Sequence, residues 1–280
     1  MPGWWRRWLD KAWPGADAAL ALPQEAWQTT LNHYPFLQRP DAAGAVRLQK
    51  LAAEFLRQKE FHGAGGLHVT DAMALAVAAQ ACLPLVDLMR NDDARRALRW
   101  YDDFVGIVLH PGEVLARRES QDEAGVVHQW DEALTGEAMD GGPVMLSWAD
   151  VADAGASAAQ GYNVVIHEFA HKLDLRDGKA DGCPPLPPGF LGASTAAASR
   201  QRWMAVLNAE YQTFCDQVQA AGRFSGLVTN PWLDAYGAES PSEFFAVTAE
   251  AFFVNPAALQ QQSPAMHDLL TRFFRPHDCR

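Results

Sequence analysis

The chain has 280 residues, of which 49% are hydrophobic and 20% charged, and its formal net charge at pH 7 is -11. This composition is that of a globular protein and excludes disordered and fibrous classes. The negative charge argues against direct nucleic-acid binding or an anionic membrane as the main partner. The four cysteines show no Cys-x-x-Cys spacing, which predicts free thiols in the cytoplasm and disfavours a zinc site built on cysteine.

Residues 1–24 form a tail that contains four tryptophans, Trp4, Trp5, Trp8 and Trp13. An interfacial membrane anchor and a helical tail that packs its indoles on the domain are both possible interpretations. Two aspartates within the tail favour the second. The segment lacks the apolar core of a secretory signal. The longest apolar run, residues 72–86, is shorter than the ~20 residues of a membrane span, so it is predicted to be a core helix.

The periodicity of the remaining chain predicts helices and a small sheet. Helical spacing covers residues 42–61 and 72–86 in the first half, and strand-like runs follow. The predicted strands are 104–109, 114–115, 126–130 and 143–148, and further helices are predicted at 163–174, 203–218 and 241–254, before a short polar C-terminal segment. We therefore predict an α+β fold in which residues 25–280 form one domain, helical to about residue 100, with a small mixed or antiparallel sheet after it. The strand 143–148 is either the sheet edge that pairs with a peptide or an ordinary interior strand.

The sequence His-Glu-x-x-His at residues 167–171 lies inside a run with helical periodicity. On a helix, His167 and His171 share one face and can direct two imidazole nitrogens at a single Zn²⁺ ion. Glu168 lies about 100° round the helix, where it can reach water near the metal rather than bind the metal. Two core histidines satisfied by hydrogen bonds are the alternative, but they leave a buried Glu168 without a partner.

A hydrolytic zinc site needs a third protein ligand, and three acidic candidates compete for this role. Asp177 has the spacing of the third ligand in metzincins, but Asp174 occupies the position where those enzymes have glycine. Asp174 itself suits the orientation of an imidazole better than metal binding. Glu243 is the third candidate, on a distant and nearly all-apolar helix.

The helix predicted at 241–254 carries two acidic residues, Glu243 and Glu250, seven positions apart and therefore on one face. Ser240, Pro241 and Glu243 also form the start of a capping box, which would explain Glu243 without a metal. Because an unpaired carboxylate is costly on a buried helix, we favour Glu243 as the third zinc ligand. Glu250 is expected to orient a ligand or to form an ion pair.

These segments resemble the MtfA (Mlc titration factor A) family of bacterial zinc peptidases. The resemblance rests on NVVIHEFAHKLDLRDG at 163–178 and SPSEFFAV at 240–247, with PFL at 35–37, KEF at 59–61 and AQACLPL at 79–85. It covers most of residues 25–275 and implies a zincin-like metallopeptidase fold. It implies one Zn²⁺ per chain, bound by His167, His171 and Glu243, with Glu168 as the catalytic base. The Pro/Gly/Ala-rich stretch 183–199 departs from the family and is expected to affect access to the cleft.

The resemblance also implies a role for Tyr236, which matches a tyrosine of that family and of the similar anthrax lethal factor catalytic domain. There it is placed to donate a hydrogen bond to the tetrahedral intermediate; a packing or surface role is the alternative. The implied activity is aminopeptidase-like cleavage of a peptide substrate. A second function, of a different class, is binding to a transcriptional repressor of the Mlc type, which controls glucose-transport genes.

Overall fold

A computed structural model describes residues 22–89, 91–112, 114–121, 127–134, 136–138, 142–224 and 231–276. The predicted tail 1–24 lies almost entirely outside the described residues. Leu22, the first of them, is already buried against the core, as is Trp27. Among the described helices, none has the length and apolar character needed to cross a membrane.

Four helices form the first part of the described chain. Asp41 and Thr70 cap the second and third helices, since their side chains accept the N–H groups of Gly44 and Met73. The third helix is buried over almost its whole length, so the predicted core helix is confirmed. The four helices are α1 (Gln24–His33), α2 (Ala42–Gln58), α3 (Asp71–Cys82) and the single turn α4 (Ala94–Ala97).

The strands form one sheet of four strands and a separate two-stranded ribbon. Their bounds are β1 (Glu60–Gly63), β2 (Gly106–His110), β3 (Val114–Gln121), β4 (Val127–Leu134), β5 (Gly136–Ala138) and β6 (Val144–Ser147). In the order β1-β2-β6-β5, the first three strands are parallel and only β5 runs antiparallel to its neighbour. The sheet is therefore mixed, and the antiparallel alternative is wrong.

Strand β6 has a neighbour on each side, β2 and β5, so it is an interior strand. Of the two interpretations of residues 143–148, the interior strand is therefore confirmed and the free edge is wrong. Parallel strands need long crossovers, commonly helices, and here α3 lies between β1 and β2. The helix predicted at 42–61 includes the first two of the four residues of β1, so this strand was not predicted.

In the described part of the chain, six α-helices follow the sheet, and the last two correct the prediction of a polar C-terminal segment. These six are α5 (Trp148–Ser157), α6 (Val164–Asp174), α7 (Ala196–Arg223), α8 (Pro241–Val254), α9 (Pro256–Gln262) and α10 (Pro264–Phe274). Both added helices begin at a proline in the first turn, where no N–H partner is needed. Helix α10 buries Met266, Leu269, Leu270, Phe273 and Phe274.

Helix α6, which carries His-Glu-x-x-His, lies at the centre of the molecule between the sheet and α8. Its Phe169 ring packs against the rings of Phe55, Tyr101 and Phe104, at centroid distances of 5.6, 4.8 and 5.8 Å. On the same helix, fully buried Lys172 forms an ion pair of 3.0 Å with Asp103. These contacts with α2 and with the segment between α4 and β2 fix one side of the helix, and α8 also packs against it.

Candidate metal centre

Helix α6 begins at Asn163, whose side-chain Oδ1 accepts the N–H of Ile166 at 2.8 Å. This N-cap fixes where the first helical turn starts and therefore which residues face α8. His167 and His171, one turn apart, both face the beginning of α8. Their rings are 4.8 Å apart and nearly perpendicular.

Helix α8 begins as the capping pattern predicted, because Ser240 Oγ accepts the N–H of Glu243 at 3.2 Å and Pro241 occupies the first turn. In a complete capping box the glutamate side chain reaches back to the N-cap N–H. Here the Glu243 carboxylate instead approaches His167 and His171. The structure thus directs this side chain at the two imidazoles, which a purely capping role does not require.

The three side chains converge on one point. Glu243 Oε2 lies 3.1 Å from His167 Nε2 and 3.2 Å from His171 Nε2, and the two Nε2 atoms are 3.1 Å apart. A tetrahedral zinc ion with ligand bonds of about 2.0–2.1 Å holds its ligand atoms roughly 3.3 Å from one another. The nearly equilateral triangle therefore fits three of the four positions around such an ion. Among the described residues, it is the group of His, Cys, Asp and Glu side chains whose geometry could hold a metal ion.

The Nδ1 atom of each imidazole is linked to an acidic residue, directly for His167 and through Ser242 for His171. His167 Nδ1 lies 2.7 Å from Glu250 Oε1 on α8. His171 Nδ1 lies 3.2 Å from Ser242 Oγ, which in turn donates to Asp174 Oδ2 at 2.7 Å. Such partners orient metal-binding histidines in many proteins. Asp174 was expected to orient an imidazole, and it reaches His171 through Ser242.

The loop 178–195 is linked to the candidate metal centre by hydrogen bonds of Gly182. Asp174 Oδ2 also accepts the N–H of Gly182 at 2.8 Å, and the Gly182 carbonyl accepts Trp203 Nε1–H at 2.7 Å. Gly182 has a φ of +78°, and a Cβ there would lie 2.5 Å from the carbonyl oxygen of Pro241. The loop therefore packs closely against the first turn of α8, where glycine is required.

Glu168 is 3% exposed, and its Oε2 atom has no hydrogen-bond partner in the described structure. Burial raises the pKa of Glu168 to about 7, although the nearby histidines oppose the shift. The buried Glu168 expected in the sequence is therefore present, with an acceptor atom available for another group. A carboxylate with a pKa near neutral is suited to accept and return a proton.

The charges of the cluster compensate one another. Burial raises the pKa of Glu243, but hydrogen bonds from His167 and His171 outweigh it and hold that pKa at about 2. Burial also disfavours protonation of His167, but the carboxylates of Glu250 and Glu243 outweigh it and raise the His167 pKa well above its usual range. A dication that replaces protons at these nitrogens would be held by the same carboxylates.

Two further residues of the sequence analysis lie in different places. The Tyr236 ring is 6.0 Å from the His167 ring, on a 3-10 turn (Ala235–Ala238), and the residue is 40% exposed. Asp177 lies outside the cluster: its Oδ1 accepts the N–H of Lys179, and its Oδ2 is 3.7 Å from Arg200 Nη1. The structure thus brings Tyr236 beside the histidines and leaves the metzincin-like candidate away from them.

The sequence analysis missed two polar residues of this region, Ser242 and Gln80. Ser242 follows a proline in a capping sequence, where a serine attracts no attention. Gln80 gave a clearer signal, since it is the one polar residue between Ala72 and Val86. It is fully buried and its Oε1 accepts Asn163 Nδ2–H at 2.8 Å.

Comparison with known proteins supports a metal-dependent peptidase. The family model of the glucose-regulated metallo-peptidase M90 matches residues 5–275. Mlc titration factor A of Yersinia pestis (strain Pestoides F) is 31% identical over 270 residues, which cover 96% of this chain and 89% of that protein. The same values hold for Mlc titration factor A of Yersinia pseudotuberculosis serotype O:1b (strain IP 31758). These matches confirm the resemblance found in the sequence: the chain belongs to the glucose-regulated metallo-peptidase M90 family.

Proposed function

We propose that this protein is a zinc-dependent peptidase with a zincin-like site, in which His167, His171 and Glu243 bind one Zn²⁺. The observation that supports this most strongly is the triangle of two Nε2 atoms and one carboxylate oxygen, with sides of 3.1, 3.1 and 3.2 Å. Two imidazoles and one carboxylate are a ligand set of catalytic rather than structural zinc, since they leave the fourth position for water or substrate.

The residues around the triangle have distinct roles in the proposed reaction. When bound, zinc polarises the scissile carbonyl and lowers the pKa of water toward neutrality. Glu168 accepts a proton from the attacking water at its unpartnered Oε2 atom and returns it to the leaving amine nitrogen. The Tyr236 hydroxyl donates to the oxygen on which negative charge develops, a role supported by the 6.0 Å distance between its ring and that of His167.

The charges at the site support action on the amino end of a peptide. Within the described part of the chain, no lysine or arginine is bonded to His167, His171, Glu243 or Glu250. Sites for a C-terminal carboxylate commonly use such a cation. With Zn²⁺ bound, the charges of Glu243 and Glu250 are offset by the ion, and the Glu168 carboxylate beside them attracts the ammonium group of a peptide N-terminus. We therefore propose aminopeptidase-like cleavage of short peptides.

A second candidate function is protein binding, favoured by the name that the relatives carry, Mlc titration factor A. On this proposal the chain captures a repressor of the Mlc type in the cytoplasm. Cys82, Cys183 and Cys215 are free thiols, which agrees with a reducing compartment. Capture by a catalytically inactive Glu168→Gln variant, measured with purified Mlc, separates binding from peptidase activity.

The peptidase proposal is tested by zinc content and hydrolysis of amino-acid anilides. We compare the wild type with Glu243→Ala and use Asp177→Ala as the matched control, because it removes a carboxylate that lies outside the triangle. We expect one zinc per wild-type chain, loss of both zinc and hydrolysis in Glu243→Ala, and little change in the control. Full zinc content in Glu243→Ala, with loss in Asp177→Ala, would overturn the ligand assignment.

A further inference from the structure

Gln80 occupies an energetically unfavourable position in the core. It lies on helix α3, is 0% exposed, and its Nε2 atom has no hydrogen-bond partner among the described residues. An amide donor left unpaired in the interior costs stability, whereas an apolar side chain of similar size would not. The hydrogen bond accepted by its other polar atom, Oε1, is therefore what a glutamine provides at this position and an apolar side chain would not.

The backbone dictates how Gln80 and Asn163 are oriented toward each other. A backbone N–H can only donate, so the N–H of Ile166 requires the acceptor Oδ1 of Asn163, at 2.8 Å. The donor Nδ2 of Asn163 then faces Gln80, which must present its acceptor Oε1, again at 2.8 Å. Gln80 thus fixes Asn163 from a helix in the N-terminal part of the chain.

Asn163 in turn fixes the carboxylate of Glu250. The backbone N–H of Asn163 donates to Glu250 Oε2 at 2.5 Å, and Glu250 is 1% exposed. The other oxygen, Oε1, is thereby directed at His167 Nδ1, 2.7 Å away. An imidazole that binds a metal through Nε2 carries its proton on Nδ1, and that proton must be donated to an acceptor. Glu250 provides this acceptor.

We propose that Gln80, Asn163 and Glu250 form a positioning relay that holds His167 in its Nδ1-protonated tautomer and directs its Nε2 atom at the metal position. The relay rests on the proposed function, since it needs His167 to be a ligand. The relay also implies that helix α3 contributes to the metal affinity through Gln80, which touches neither metal nor substrate.

The relay requires a carboxylate at position 250 and not merely a polar group. Glu250 accepts from two donors, the N–H of Asn163 and Nδ1–H of His167, one at each oxygen. A glutamine has the same shape but a single acceptor oxygen, so one of the two donors would face an NH₂ group. Glu250→Gln therefore disrupts the relay with a minimal change in volume.

The test compares two variants, Glu250→Gln and Gln80→Met, with two controls. Glu54→Gln is the control for the first, because Glu54 is also buried but pairs with Arg57. Gln58→Met is the control for the second. The readouts are zinc affinity from competition with a chelator, the visible spectrum of the Co²⁺-substituted protein, and the melting temperature of the metal-free protein. Gln80→Met keeps the test valid if Glu250→Gln fails to fold, since methionine suits the apolar helix.

We expect zinc affinity to fall about 10- to 100-fold in Glu250→Gln, the usual effect of removing such a partner. Loss of one neutral hydrogen bond predicts a fall of about fivefold in Gln80→Met. Both variants should alter the Co²⁺ spectrum, which a merely structural role would leave unchanged, and both controls should match the wild type in zinc affinity and in that spectrum. Wild-type affinity and spectrum in folded Gln80→Met or Glu250→Gln would overturn the relay alone. Absence of zinc binding by the wild type would overturn the proposed function itself.

Discussion

Replacement of Glu168 by glutamine is expected to have opposite effects on activity and stability. Burial raises the pKa of Glu168 in the metal-free protein from 4.5 to about 7. The folded state therefore holds its proton more tightly than the unfolded chain, and this contribution to stability is fully present below pH 4.5 and lost as the pH rises through 7. A shift of this size corresponds to about 3 kcal/mol at pH 8, since one pKa unit is about 1.36 kcal/mol.

Glutamine carries no charge at pH 5 or pH 8, so it avoids the cost of burying an ionised carboxylate. The metal-free Glu168→Gln variant should therefore be about 3 kcal/mol more stable than the wild type at pH 8, and only about 1 kcal/mol more stable at pH 5. The corresponding rise in melting temperature is about 6 °C at pH 8 for a chain of this size. Catalysis should fall about 10²- to 10⁴-fold while zinc content is retained, because the variant loses the proposed proton acceptor and keeps all three proposed ligands.

The assay is thermal unfolding of chelator-treated protein at pH 5 and pH 8, combined with anilide hydrolysis and zinc content of the metal-loaded protein. Glu54→Gln provides a control of the opposite sign. Burial raises the pKa of Glu54, but hydrogen bonds from Arg57 and Gln58 outweigh it and lower that pKa, so this variant should be destabilised at pH 8. Equal melting temperatures of wild type and Glu168→Gln at pH 8 would refute the electrostatic reasoning, and unchanged turnover would refute the base assignment.

Three other substitutions test separate parts of the structure. Tyr236→Phe should lower kcat about 10²-fold or more with unchanged zinc content, as loss of an oxyanion donor does; a normal kcat assigns the ring to packing. Ser242→Ala removes the link between His171 and Asp174 and should weaken zinc binding about 10- to 100-fold in chelator competition, and unchanged affinity would contradict that orienting role. Trp203→Ala removes a fully buried ring and should lower the free energy of unfolding by about 3–5 kcal/mol in urea titrations, whereas a change below 1 kcal/mol would show that the site collapses to fill the cavity.

Helix α6 was predictable in full because its signals are local. Asn163 caps it, its apolar residues recur at helical spacing, and the two histidines are separated by a single turn. The start of α8 was predictable for the same reason, from Ser240 and Pro241. Local sequence therefore defined the two elements that carry the site.

The remaining features depend on contacts between distant segments. Strand β1 has four residues and is stabilised by parallel pairing with β2, 46 positions later in the register Glu60 to Gly106, which no local pattern records. Helices α9 and α10 did have local signals, since each begins with a proline, but the prediction treated this segment as polar. The hydrogen bond from Asn163 to Gln80 spans 83 positions, so only the fold could reveal it.

Glu243 lies 72 positions after His171, and this separation has a consequence for biosynthesis. In a ribosome-bound or denatured chain, only His167 and His171 are close enough together to bind an ion, because Glu243 is not yet synthesised or lies far away. With the proposed ligand set, high-affinity loading follows the docking of α8 on α6, and the ion is selected by the folded protein rather than by the nascent chain.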